Sequence, residues 1–82
     1  MEQEVGKVSH YYDKLGVAIL DLSAPLSVGD TVKFKKGEQE FKQKVDSIQV
    51  EHQAVQTAKP GDQVGIKVDQ KVKDGVEVYK VS

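Results

Sequence analysis

Apolar residues in this chain come in short runs, each closed by a Gly, Pro or Asp-containing turn, and most runs alternate with polar residues at a period of two. That period is the signature of half-buried strands. The first strand is expected from Val5 to Tyr12, with Val8, His10 and Tyr12 on one face. Val5 falls on the other parity, so Gly6 is expected to mark a bulge. Asp13-Lys14-Leu15-Gly16 reads as a tight turn. Val17 to Leu22 is apolar on both parities, as suits a strand covered on both sides or curling into a barrel wall.

Pro25 interrupts the pattern, because it cannot donate to a ladder in a central strand. After a turn at Val28-Gly29-Asp30, a strand is expected over Thr31 to Lys35 with Val32 and Phe34 inward. A hairpin at Lys36-Gly37-Glu38-Gln39 leads to a long returning strand, Glu40 to Val50. Phe41 and Val45 share one parity and Ile48 and Val50 the other, which a bulge near Asp46-Ser47 would reconcile. Glu51 to Ala58 reads as a loop, with one helical turn as the alternative. Pro60-Gly61 fits the centre of a type II turn. Gln63 to Val68 and Val76 to Val81 are the last strands, separated by a connection in which Val72 tucks in. A Gly/Asp turn precedes a strand three times, at Gly29-Asp30, Gly61-Asp62 and Asp74-Gly75.

Composition agrees with this pattern. The chain has 82 residues, which make one domain spanning 1–82 with its core over about 5–81, and it is rich in Val. The fold class expected is all-β, a small six- to seven-stranded Greek-key β-barrel. There is no Cys, and hence no disulfide framework and no thiolate chemistry. The start of the chain is acidic, unlike a secretory signal, and no apolar run is long enough for a membrane span, so a cytoplasmic protein without a membrane partner is expected.

The net charge of −1 gives no general attraction to nucleic acid. All 12 basic residues are Lys, and neither Arg nor Asn occurs, which argues against base-specific reading. Lys33, Lys35, Lys42 and Lys44 alternate with inward residues on two neighbouring strands, and together they form a ribbon able to meet phosphate. The same ribbon also reads as a solvated sheet face with protective charge. His10, Tyr11 and Tyr12 are the one aromatic cluster outside the core and supply one or two rings for stacking or for packing at a barrel mouth. His10 and His52, with Glu51 and Asp13, would make a metal site only if two loops met, and nothing in their spacing requires it. Neither Ser9 nor Ser47 sits on a recognisable nucleophile elbow. No metal, no cofactor and no catalytic residue is expected.

Gly6-Lys7-Val8, Leu26-x-Val28-Gly29-Asp30-x-Val32, Lys44-Val45-Asp46-Ser47-Ile48, Val55-x-x-Ala58-x-x-Gly61-x-x-Val64-Gly65-Ile66 and Asp74-Gly75-x-x-Val78 occur in that order along the chain. In this order and spacing they resemble the barrel that follows the nucleotide-binding domain of translational GTPases, the second domain of elongation factor Tu and the C-terminal barrel of bacterial translation initiation factor two. The resemblance implies an elongation-factor domain 2 type of barrel and a non-catalytic module that touches tRNA, rRNA or the ribosome. Its site would be Lys33, Lys35, Lys42 and Lys44 with Tyr11 and His52. Where the relatives tend to carry basic and aromatic residues, this chain has Gln49, Val50, Glu51 and His52. No P-loop is present, so the parent GTPase activity is not implied. Similar barrels are also appended to enzymes such as the U32 family of peptidases. The alternative is therefore a protein-interaction accessory barrel with no RNA role, acting as a monomer or weak dimer.

Overall fold

The computed structural model describes residues 2–51 and 53–81. Ten strands follow in order: β1 Glu2–Tyr12, β2 Val17–Leu22, β3 Leu26–Ser27, β4 Thr31–Lys36, β5 Gln39–Lys44, β6 Ile48–Val50, β7 Gln53–Val55, β8 Thr57–Ala58, β9 Gln63–Lys67 and β10 Glu77–Val81. No helix occurs among the described residues. Eight strands form one sheet in the order β5-β4-β10-β1-β2-β9-β6-β7, and β3 pairs with β8 as a separate ribbon. All pairings are antiparallel. The ladder has two ends, β5 and β7, so it does not close into the expected barrel. The strand count also exceeds six or seven.

On β4 and β9 the inward face is the apolar parity expected, and on β2, apolar on both parities, it is the parity of Ala18, Leu20 and Leu22. Ala18, Leu20 and Leu22 on β2, Val32 and Phe34 on β4, Val64 and Ile66 on β9, and Val78 on β10 join Ile48 in one buried cluster. The register of β1 against β10 shifts between Glu4 and Gly6, so both Val5 and Val8 reach the core from opposite parities. The extra residue is Val5, so the bulge lies beside Gly6, where the pattern called for one.

A second shift, in the β1–β2 pairing between Val8 and His10, leaves Ser9 as an extra residue. It reverses the parity for the rest of β1. His10 and Tyr12 consequently point outward and Tyr11 packs against the core, the reverse of the expected facing.

The long strand expected from Glu40 to Val50 is broken rather than bulged. The backbone of Val45 exchanges hydrogen bonds with the turn before β4: Gly29 N donates to Val45 O at 2.8 Å and Val45 N to Asp30 O at 2.8 Å. The chain then crosses from one end of the sheet to pair β6 with β9, Ile48 opposite Ile66. Residues 53–58, expected as a loop or helical turn, are the short strands β7 and β8.

The turns repeat one device. At Ser27–Asp30 and Lys59–Asp62 the third residue is a Gly at positive φ (98° and 89°), and the fourth donates its N–H to the first carbonyl. In both, the Asp carboxylate accepts the first residue's N–H, Ser27 N to Asp30 Oδ2 at 2.9 Å and Lys59 N to Asp62 Oδ2 at 3.0 Å. These side-chain bonds satisfy donors that the ladder cannot reach.

Candidate functional site

The lysine ribbon forms as a surface, but it is not a free cationic one. In the β4–β5 ladder Lys33 stands opposite Lys42, Lys35 opposite Glu40 and Thr31 opposite Lys44. On the other side of β4, Lys35 pairs with Glu77 and Lys33 with Tyr79. Lys35 thus has a carboxylate-bearing residue as its ladder neighbour on both sides. Lys33 has been drawn into the sheet face, with its side chain only 10% exposed. Its ammonium donates to Glu2 Oε1 at 2.6 Å, lies 3.7 Å from Glu40 Oε2 and sits 5.7 Å from the centre of the Tyr79 ring. Lys35, Lys42 and Lys44 remain exposed. The face mixes lysines with Glu40 and Glu77, but Lys33 and Lys42 stand directly opposite one another, so opposite-charge neighbours offset only part of the repulsion.

The hydrogen bond from Lys33 holds the Glu2 carboxyl below the ordinary carboxylate range, and the same bond holds Lys33 above its ordinary value. Burial, followed by the Glu77 and Glu4 carboxylates, pushes the Tyr79 hydroxyl upward. A lowered acid contributes stability above its unfolded titration and loses it as pH falls through the folded value. A raised base contributes below its unfolded titration and loses it as pH rises through the folded value. The pair is therefore fully effective between the two. Glu2→Gln should lower the melting temperature at about pH 7, and this difference should vanish near pH 2, where the wild-type carboxylate is also protonated. A difference of equal size at both pH values would show that packing, not charge, is what Glu2 contributes.

Tyr11 sits at an end of the sheet, half-buried among core residues. With the stacked rings of Phe34 and Phe41 (4.9 Å, 8° apart) it lines a cavity of about 760 Å³ beneath the 70–73 connection. The exposed rings are His10 and Tyr12, in an edge-to-face pair at 4.5 Å. His52 lies outside the described residues, so its expected site role, and its place in the His10/His52/Glu51/Asp13 arrangement, have no structural counterpart. Among the described residues no three potential metal ligands come together.

A feature the sequence reading passed over is the outer face of β2. Val17 and Ile19 point outward and are half-buried. Their neighbours are Tyr12, Leu15 and, on β9, Gly65, which stands opposite Ile19 and Gln49. Tyr12 and Leu15 are the large apolar residues most open to solvent among the described residues, at 46% and 67% exposure. With Gly65 they line a groove of about 580 Å³ that also takes in Glu51 and Asp62. Glu51 occupies the left-handed region (φ 51°) at the β6–β7 hairpin, as tight hairpin turns require. The signal in the sequence was the doubly apolar run Val17–Leu22. In a curled sheet the inner parity accounts for only half of it.

A further missed residue is Gln43. It points inward and is buried, and its amide spans from β5 to the end of β9. Nε2 donates to Lys67 O at 2.8 Å and Oε1 accepts from Asp69 N at 2.9 Å. No buried side-chain polar atom among the described residues lacks a partner.

No protein-family model matches the chain. An uncharacterized protease of Methanocaldococcus jannaschii is 36% identical over 77 residues, 93% of this chain and 19% of the protease. The chain thus spans about a fifth of that relative. Two crystal structures of the C-terminal domain of a Geobacillus thermoleovorans protein named as a U32 peptidase are similar in fold. One has a TM-score of 0.89 at 25% identity, covering 95% of this chain and 91% of that one. The other, the selenomethionine variant, has a TM-score of 0.88 at 24% identity, covering 93% and 96%. These relatives overturn the resemblance to translation factors, and with it the elongation-factor assignment of the fold. The turn and core residues that carried it are those any small sheet of this topology needs. The likeness is to an accessory domain of a peptidase, the alternative that the sequence left open.

Proposed function

We propose that this chain is a non-catalytic, protein-interaction accessory of a U32-type peptidase, its curled sheet working as a small Greek-key barrel. The observation that carries this is the extent of the match. Nearly all of this chain aligns with nearly all of an isolated C-terminal domain, yet with only 19% of the archaeal protease. The bulk of that protease has no counterpart in this chain. Barrel-like behaviour is supported by Gln43, which ties β5 to the end of β9 across a gap in the ladder. The mixed charge of the lysine face supports a role other than phosphate binding.

The test is a domain exchange. Deleting the matched 77-residue segment from the archaeal protease should reduce its yield or its hydrolysis of a fluorescent casein, and inserting this chain in its place should restore it. The purified chain alone should leave the casein intact. A chimera no better than the deletion would overturn the proposal, as would stoichiometric proteolysis by the chain alone. Salt-sensitive co-sedimentation with bulk tRNA would overturn it too.

A further inference from the structure

The groove over β2 and β9 is built in a way that selects an occupant. Its floor includes Gly65, over which the side chains of Val17 and Ile19 lean: an added Cβ would lie 3.3 Å from Val17 Cγ1 and 3.4 Å from Ile19 Cδ1, so a larger residue there would push these side chains into the groove. The register places its two ends. Val17 pairs with Lys67 and Asp21 with Gln63, so Tyr12, Leu15 and Val17 gather at one end and Asp62 at the other. Gln49 pairs with Gly65, and the antiparallel run of β6 carries Glu51 toward the Asp62 end. The lining is thus apolar at one end and anionic at the other. It contains no lysine, although the chain has 12 basic residues, all Lys. Lys67 stands just beyond the apolar end.

From Asp62 to Lys67 the floor strand extends roughly 15 Å, the length of four or five extended residues. Stable docking of a folded domain covers on the order of 800 Å² on each side. A groove this short and narrow suits a linear segment. Its apolar end would cover Leu15 and Tyr12, and its anionic end would place a carboxylate pair beside a cation.

We propose that this groove binds an extended segment of a partner polypeptide, with apolar side chains over Tyr12, Leu15 and Ile19 and a Lys or Arg beside Glu51 and Asp62. The proposal rests on the accessory-module reading, and names the surface and the chemistry through which that module recognises a protein. Binding a short peptide requires no peptidase body, so a failure here leaves the domain-exchange result standing, and the reverse also holds.

The test uses the 82-residue chain, isotope-labelled, and three synthetic peptides. One carries a Leu-Val pair followed three residues later by Lys; the second has Glu in place of that Lys; the third has Ser in place of the Leu-Val pair. The first should bind with a Kd below about 1 mM, a weak affinity in keeping with so small a contact. It should shift the amide resonances of Tyr12, Leu15, Ile19 and Gly65. The other two should bind at least fivefold more weakly. Gly65→Val should abolish binding. Leu15→Ser, at a position 67% exposed, should weaken it at least threefold without altering the rest of the spectrum. Three results would overturn the proposal: no shifts at millimolar peptide, shifts centred elsewhere, or equal affinity for the Lys and Glu peptides. Concentration-dependent self-association through Leu15 with no peptide response would assign the face to a second copy of the chain instead.

Discussion

Replacing Gly6 by alanine lowers the stability of this protein by about 3 kcal/mol, through a clash that no side-chain rotation relieves. A Cβ at this position would stand 2.5 Å from the carbonyl oxygen of Asp21 and 3.3 Å from Leu22 Cα, both backbone atoms of the neighbouring strand. Gly6 pairs with Leu22 on one side and Val78 on the other, so the strand cannot move away from β2 without disturbing β10. The bulge beside Gly6 also lets Val5 and Val8 enter the core together, and Val5 O accepts the Ser23 amide at 2.8 Å. Any relaxation would strain these contacts as well. For a domain of this size, each kcal/mol displaces the melting temperature by roughly 4–8 °C, so the variant should melt at least ~12 °C below the wild type. Gly65→Ala is the control. Its new methyl would meet side-chain atoms of Val17 and Ile19 at 3.3 and 3.4 Å, which need give by only a few tenths of an ångström, rather than the fixed backbone of a neighbouring strand. Its effect should stay within about 0.5 kcal/mol, since replacing Gly inside a strand recovers some backbone entropy. Equal losses in the two variants would mean that glycine's general backbone freedom, rather than the approach of β1 to β2, is what matters at position 6.

What could be read from the sequence follows from where the physics is local. Period-two alternation identified the inward residues of β4 and β9 because each of these strands has one face on the core. The Gly-Asp turns were legible because a positive φ leaves few other residue choices. The bulge beside Gly6 was visible as a parity conflict between Val5 and Val8. The bulge at Ser9 was not. His10, Tyr11 and Tyr12 are all tolerated on either face, so the pattern carries no trace of the reversal. The break after Lys44 was read as a bulge, since parity alone cannot distinguish one extra residue from a departure to another strand. Strands β7 and β8 are too short and too polar to show alternation. The pairing of Lys33 with Glu2, 31 residues away, and the inward turn of Gln43 depend on tertiary placement. At the functional level, the lysine ribbon was found as a set, but Glu2 beside Lys33 and Glu77 beside Lys35 were not. The groove had its one sequence trace in the doubly apolar β2, whose outer residues acquire meaning only when Gly65 is placed beside them.

Truncating Phe34 to alanine should cost about 3–5 kcal/mol, the range for removing a buried aromatic ring, and so a large part of the ~5–15 kcal/mol that holds a typical domain together. Phe34 is 1% exposed and is among the largest fully buried side chains. Its ring lies flat against that of Phe41, and its strand pairs with β5 on one side and β10 on the other, Phe34 opposite both Phe41 and Val78. The surrounding cluster is mostly Val, and β-branched side chains held in a ladder have little freedom to collapse into the space left behind. Phe41→Ala removes the partner ring, but that ring is half-buried and borders the open cavity at the end of the sheet. Its loss should be smaller, about 1–2 kcal/mol, because water already reaches part of the space. The stacked pair adds a coupling of roughly 0.5–1.5 kcal/mol, so the double variant should lose less than the sum of the two single losses by that amount. Urea unfolding at constant m-value would measure all three. Strict additivity would mean that the two rings contribute only as separate apolar volumes. A Phe34→Ala loss below that of Phe41→Ala would place the centre of the core elsewhere, around Leu20, Ile48 and Ile66.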